Sequence, residues 1–230
     1  MPLGRQAFDR SLSLIHVQIQ KMGEMVIDAV EQAVASLSEH DGERALAVVQ
    51  GDADINELRF QIEGACLSTI ATQQPAAGDL RQLIAALNVV TDLERVGDYA
   101  AGIAKAYRRM DQGDLPIGIP PDLLHMSELS LSMLRDVLDA YDRRDASAAH
   151  AIALQDNKMD ERYQALFDDF LGLMARPGTP AETALYLLFI GHNLERIADR
   201  VTNIAERVVF MMSGEMHELN PERSEPGGLE

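Results

Sequence analysis

Two carboxylate pairs, Glu94 with Asp98 and Glu195 with Asp199, each stand four residues apart in the chain. On a helix that spacing puts both acids on one face, where like charges repel by a few tenths of a kcal/mol. A bound cation reverses the sign of that cost. The second pair belongs to a longer polar stripe. His192, Glu195, Asp199, Asn203 and Glu206 fall within about 80° of one another at 100° per residue, opposite Leu194, Ile197, Val201, Ile204 and Val208. In the first, Leu93, Val96, Ala100, Ile103 and Tyr107 occupy the side away from Glu94 and Asp98. Oxygen donors joined by one imidazole suit iron, zinc, manganese or magnesium, without choosing among them. The alternative for such a face is plain hydration, which makes the chain an inert helical scaffold.

The elements carrying these acids are duplicated. Leu93-Glu94-Arg95-Val96-Gly97-Asp98 returns as Leu194-Glu195-Arg196-Ile197-Ala198-Asp199, an offset of 101. Six of thirteen positions are identical between 93–105 and 194–206. Upstream, Gly51-Asp52-Ala53-Asp54-Ile55-Asn56 matches Gln155-Asp156-Asn157-Lys158-Met159-Asp160 at an offset of 104, so a three-residue difference lies between the two matches. Matches in the same order argue for repetition of one unit.

Turn residues divide each copy into three long helices. The first runs from about Phe8 to Glu39, the second to Gln74, and the third from Gly78-Asp79 to just before Gly113. After the Pro-rich linker Leu115 to Pro121, a fourth helix reaches Arg143 and a fifth ends at Arg176-Pro177. Thr179-Pro180-Ala181-Glu182 reads as a capping box opening a sixth, which ends near Ser213-Gly214. Ile15, Ile19, Met22, Val26, Val30, Ala33 and Leu37 form one apolar stripe, with Glu24, Asp28 and Glu31 on the polar side. The fold class is therefore all-α, two tandem three-helix bundles related by internal duplication. The first bundle is expected over 1–113, the second over 114–214, and a disordered acidic tail over 215–230.

The bulk numbers agree. A composition 47% hydrophobic but 5% aromatic, without Trp, suits packed helices better than a sandwich or barrel. The longest apolar run, Ala184 to Ile190, is far short of the ~20 residues of a membrane span, and no basic-then-apolar leader opens the sequence. A formal charge of −17 repels phosphate backbones, so nucleic acid is excluded as an expected partner, while cations and basic protein surfaces are attracted. The single Cys66 sits in an apolar helical stretch and reads as a buried, inert thiol. No nucleophile elbow, P-loop or Cys-based zinc pattern occurs, so no enzymatic activity is expected. A carboxylate-bound iron protein, either a store or a di-iron oxidase, is the remaining alternative. Such bundles use paired Glu-x-x-His motifs, and this chain has none.

Asp79-Leu80-Arg81, the Leu93–Asp98 motif, its return over Leu194–Ile204 and the Gly51-Asp52/Ile55-Asn56 signature together resemble the PhoU family over roughly residues 8 to 214. That resemblance implies tandem three-helix bundles that bind multinuclear metal clusters through Glu/Asp-x-x-x-Asp motifs. By it, Glu94 and Asp98 serve one metal site, and Glu195, Asp199 and Asn203 the other. Stripe geometry adds His192, Glu206, Glu24 and Asp28 as further candidates. The resemblance also implies a cytoplasmic negative regulator, expected as a homodimer. Its implied partners are the ATPase subunit of a phosphate-specific ABC transporter and a sensor histidine kinase of the phosphate-starvation response. The first copy departs from the fuller pattern, with Gly102 where the second has Asn203 and Lys105 where it has Glu206. A lysine there opposes a cation, so the first site is expected to be the weaker.

Overall fold

In the computed structural model, residues 3–110, 118–176 and 181–220 are described, and no strand occurs among them. Seven helices follow in order: α1 Leu3–Ser38, α2 Gly42–Gln73, α3 Ala77–Arg109, α4 Pro121–Arg143, α5 Ala146–Ala153, α6 Asp156–Met174 and α7 Ala181–Ser213. The apolar stripe expected on α1, from Ile15 to Leu37, is buried throughout. The two repeated motifs fall on α3 and α7, each the last helix of its unit.

The first turn of each unit is built by the same local chemistry. His40 and Arg144 both take left-handed backbone, with φ of 57° and 55°. The following residues, Asp41 and Asp145, donate their backbone N–H to Ser36 O and Ala140 O at 2.9 Å. Their carboxylates then accept from Arg44 N and Ala148 N, both at 2.9 Å, and so cap the next helix. Turns this short force the helices they join to pack antiparallel. At the far end of α7, Gly214 has φ 82°, and its N–H reaches Phe210 O at 2.9 Å, the glycine-terminated ending expected from the sequence.

Two expectations are corrected. The fifth helix is not continuous, because its ladder tightens at Leu154 and Gln155 and separates α5 from α6. Gln155 N bonds to Ile152 O at 2.9 Å and Lys158 N to Gln155 O at 3.0 Å, both three-residue spans. Neither Gly nor Pro marks the break. Its effect is to set Asp156 in the first turn of α6, where the unsatisfied N–H groups favour a carboxylate that is 0% exposed. The disordered tail expected from residue 215 is also not met over 215–220. Leu219 and Asn220 are buried, because the chain folds back along α7. The Thr179-Pro180 part of the capping box and residues 115–117 of the Pro-rich linker lie outside the described residues. Pro121 is the first residue of α4, and α3 stops at Arg109, short of Gly113.

α3 and α7 form the centre, with α1 and α2 flanking α3 while α4, α5 and α6 flank α7. Their contact follows the duplication. Asn203 Nδ2 on α7 donates to Asp92 Oδ1 on α3 at 3.4 Å. At the repeat-equivalent crossing, a Cβ on Gly102 of α3 would lie 2.8 Å from Asn193 Oδ1 of α7. Position 92 meets 203 while 102 meets 193, so the helices run antiparallel about a local two-fold axis. Gly102 stands where its repeat partner has Asn because the Asn193 side chain already fills that space. Away from the axis, α1 joins α4 through His16 Nε2 to Asp142 Oδ1 at 2.6 Å, Gln20 Nε2 to the same oxygen at 3.0 Å, and an Arg135–Glu31 ion pair.

Cys66 is fully buried on α2, and burial pushes its thiol up to about 11. The thiol therefore stays protonated at pH 8. Native protein should resist iodoacetamide there and become labelled in urea, as mass spectrometry would record. A second test addresses the helix crossing. Alanine at Gly102 gains roughly 0.5–1 kcal/mol of helix propensity but meets Asn193. Gly102→Ala should lower thermal stability in the native background and raise it in an Asn193→Ala background. A gain of the same size in both would remove Asn193 as the reason for the glycine.

Candidate functional site

The first carboxylate row lies between α2 and α3. Glu94 is buried, and Arg59 of α2 donates Nη1 to its Oε1 at 2.9 Å while Arg59 Nε holds Glu63 at 2.8 Å. Asp98 is partly open, its side chain 39% exposed, with Arg95 Nη1 at 3.4 Å. Asp52 of α2 completes the row. Burial, followed by the charge of Asp98, pushes its carboxyl above the usual range, and Lys105 pulls it the other way. Asp52 Oδ2 takes a 3.4 Å bond from Asn56 Nδ2, whereas the buried Asp52 Oδ1 and Glu94 Oε2 have no hydrogen bond. The two helices approach closely at Gly97, where a Cβ would meet Ile55 Cδ1 at 3.2 Å. The glycine-to-alanine change between the copies therefore has a packing cause in the first unit.

The second row repeats the placement with different neighbours. Asp199 is buried, its side chain 3% exposed, and Arg196 Nη1 lies 3.0 Å from its Oδ2. Glu195 Oε2 is 3.5 Å from His192 Nδ1. Asp156, matched to Asp52 by the repeat, is the buried acid at the start of α6. The main difference is at the position of Arg59, where the 104-residue offset puts Tyr163. The Tyr163 ring lies 5.8 Å from that of His192, and its hydroxyl is pushed up by burial and by the Glu195 charge. In the first row an arginine neutralises the glutamate, whereas in the second a phenol takes its place.

The remaining candidates are spread out. Asn203 turns its amide toward Asp92, which Arg200 Nη1 also reaches at 3.4 Å. Glu206 Oε1 accepts Leu219 N–H at 3.3 Å, and Arg207 Nη2 is 3.6 Å from its other oxygen. Glu24 and Asp28 are exposed on α1. Asp28 lines a groove between α1 and α2 with Arg44 and Asp54, and that groove includes neither Glu94 nor Asp98. Among the described residues, no three His, Cys, Asp or Glu side chains converge in a metal-ligating group.

The sequence sets these acids on the side away from the apolar stripe, and that side does not simply face solvent. α3 and α7 pack on several sides, so a stripe polar in sequence becomes the lining of a helix interface. Glu94 and Asp199 are buried in consequence. Stripe analysis missed Asp52, Asp156, Arg59 and Tyr163. The repeat match of Asp52 with Asp156 carried the signal for the two acids, but placing them required knowing which face of α2 and α6 meets the motif helix.

Duplicated bundles joined through their motif helices, each with a part-buried carboxylate row, define a tandem-repeat helical protein with two related but unequal sites. The PhoU domain family model matches residues 19–107 and 123–208. The chain is 38% identical over 220 residues to the phosphate-specific transport system accessory protein PhoU homolog of Streptococcus pneumoniae serotype 4, covering 94% of this chain and 100% of that one. It is 31% identical over 209 residues to the accessory protein PhoU of Escherichia coli K12, covering 90% and 86%. The crystal structure of the phosphate transport system regulatory protein PhoU from S. pneumoniae superposes with a TM-score of 0.86 at 34% identity, covering 91% of this chain and 99% of that one. PhoU from Pseudomonas aeruginosa gives 0.86 at 31%, covering 90% and 100%. The chain belongs to the PhoU family.

Arg59 is the neutralising partner of Glu94, and removing one member of a part-buried pair leaves an uncompensated charge. Arg59→Met should cost about 2–4 kcal/mol in urea unfolding, and Glu94→Gln added to it should recover most of the loss. Equal stability of Arg59→Met and wild type would show that Glu94 is solvated after all.

Proposed function

We propose that this chain is a non-enzymatic accessory regulator of a phosphate-specific transport system, acting in the cytoplasm as a homodimer and damping the starvation response when phosphate is plentiful. Its partners in this reading are the transporter's ATPase subunit and a sensor histidine kinase. The observation that carries the proposal is the near-complete alignment, at 31–38% identity, with proteins named as accessories of such systems. Two supporting facts concern the molecule itself. No helix among the described residues is long and apolar enough to cross a membrane. Its net charge of −17 favours basic protein surfaces over anionic lipid or nucleic acid.

We infer further that the rows take cations. The residues fit in donor chemistry, since Asp52, Glu94 and Asp98, and likewise Asp156, Glu195 and Asp199, offer carboxylate oxygens. Asp52 Oδ1 is buried there without a hydrogen-bond donor, and Glu94 Oε2 has Arg95 Nε at 3.7 Å. Arg95 and Arg196, whose side chains are more than one-third exposed, can swing into solvent to free Asp98 and Asp199. Because few side chains converge, the ion suited to these rows keeps several waters, as magnesium and manganese do, with iron also compatible. A closed zinc site needs four protein ligands. Such an ion would supply positive charge across which a partner's acidic or phosphorylated group could bridge. In the second unit His192, Glu195, Asp199 and Asp156 would hold it, where Tyr163 stands in place of Arg59 and Glu206 in place of Lys105.

Elemental analysis of protein purified without affinity nickel should find metal in wild type and much less in Glu195→Ala/Asp199→Ala. In a phosphate-replete host, loss of the gene should switch on a starvation-responsive reporter, and the double variant should restore repression poorly. Pull-down from the same cells should recover the ATPase and the kinase. A reporter indifferent to loss of the gene, with neither partner recovered, would refute the regulatory reading.

A further inference from the structure

Two large apolar side chains on α2 are left open to solvent, Phe60 at 62% and Leu67 at 60% exposed. With Gly64 and Ala71, also exposed, they follow spacings of four, three and four residues and fall within about 60° of one another on the helix. The order along this stripe is large, small, large, small. Its first knob is held in place. The Arg59 guanidinium carbon lies 5.5 Å from the centroid of the Phe60 ring, and that guanidinium is itself fixed by Glu63 and Glu94. Gly64 is the unusual member. A Cβ there would meet nothing within 4 Å, whereas one on Gly23, Gly97, Gly102 or Gly191 would crowd a side chain of a neighbouring helix. Glycine weakens a helix interior, and no described residue of this chain uses the room it leaves.

The stripe is complementary to itself. Laid antiparallel on a second copy, about a two-fold axis midway between Gly64 and Leu67, Phe60 faces Ala71 of that copy and Gly64 faces its Leu67. Every large side chain then stands opposite a small one, as knobs-into-holes packing requires. A parallel pairing would set Phe60 on Phe60 and leave a gap at Gly64. Charge points to the same occupant. Of the eight exposed residues between 57 and 72 only Glu57 is charged, and the antiparallel register brings it to Gln74 instead of a second Glu57. A chain of net charge −17 meets its own copy at least electrostatic cost on such a face, whereas a basic partner is drawn to acidic surfaces. The repeat supplies a contrast. At an offset of 104, Phe60 and Gly64 become Gln164 and Asp168, which hydrogen-bond each other at 3.0 Å on an ordinary solvated face of α6.

We propose that the Phe60–Ala71 face of α2 is the homodimer interface, pairing α2 with α2 of a second copy in antiparallel register. The proposal rests on the homodimer of the function proposed above and names its surface. A single helix pair buries an area at the low end of specific interfaces, so the dimer is reversible, with a Kd on the order of micromolar. Only the first unit takes part, since the second lacks both the knob at Gln164 and the hole at Asp168.

Sedimentation velocity of the full chain across the micromolar range compares wild type with three variants. Phe60→Ser removes a knob and Gly64→Leu fills a hole. Gly172→Leu makes the same exchange at an exposed glycine of α6 that is equally free of neighbours. Wild type should dimerise. Phe60→Ser and Gly64→Leu should each raise Kd about thirtyfold or more with helicity by circular dichroism unchanged. Gly172→Leu should leave Kd within about twofold. A wild-type dimer that all three variants leave intact overturns this face, and the homodimer then stands on another surface. A wild type that stays monomeric throughout overturns the face and the homodimer together. Loss confined to Phe60→Ser or to Gly64→Leu also overturns the proposal, because knob and hole are then not in one contact, as does an equal loss in Gly172→Leu.

Discussion

The crossing of α3 over α7 is the constraint on which the remaining structure depends. Both helices carry the repeated motif, and both must bury an apolar stripe in their own bundle while meeting each other on a second side. Helices loaded on two sides have little surface left for solvent. Their polar stripes are therefore driven into seams between helices, where each carboxylate needs a neighbour of opposite charge, a donor or an ion. Asp92 meets this need with Arg200 and Asn203 across the seam, and Glu94 meets it with Arg59. The carboxylate rows are thus products of the architecture.

Fusion of two copies in one chain allows the halves to differ where a symmetric dimer could not. Each exchange has a local physical meaning. Asn203 reaches Asp92, while its counterpart Gly102 yields space to Asn193. Arg59 holds Glu94, while Tyr163 leaves Glu195 facing an imidazole. Lys105 acts on Asp52, while Glu206 receives a backbone N–H from the tail. In all three the fold is kept, and in the last two the local charge changes, which separates what the repeat is for structurally from what each half does electrostatically.

Much of this was legible from the residues alone. The stripe from Ile15 to Leu37, the offset between the motifs and the ending at Gly214 are local or periodic signals, and local signals survive folding. The break between α5 and α6 left no such signal, because Leu154 and Gln155 are ordinary helix formers and the tightening comes from packing around them. The burial of Glu94 and Asp199 was hidden for a related reason. A helical wheel reports which residues share a face but not how many neighbours the helix will have. The ordering of Leu219 and Asn220 depends on a contact across more than sixty residues, from Asn220 to Asn157, which composition cannot register.

The matched turns at His40-Asp41 and Arg144-Asp145 carry a kinetic consequence. Each needs only a left-handed residue and a carboxylate reaching three positions ahead, so it forms from near neighbours alone, at a backbone cost of roughly 1–2 kcal/mol at the non-glycine residue. Helical hairpins assembled from local contacts close in microseconds to milliseconds, well before segments a hundred residues apart can find each other. The implied order of assembly is two hairpins first and the central seam last. The slowest step in making this molecule is then the same crossing that brings both carboxylate rows into being.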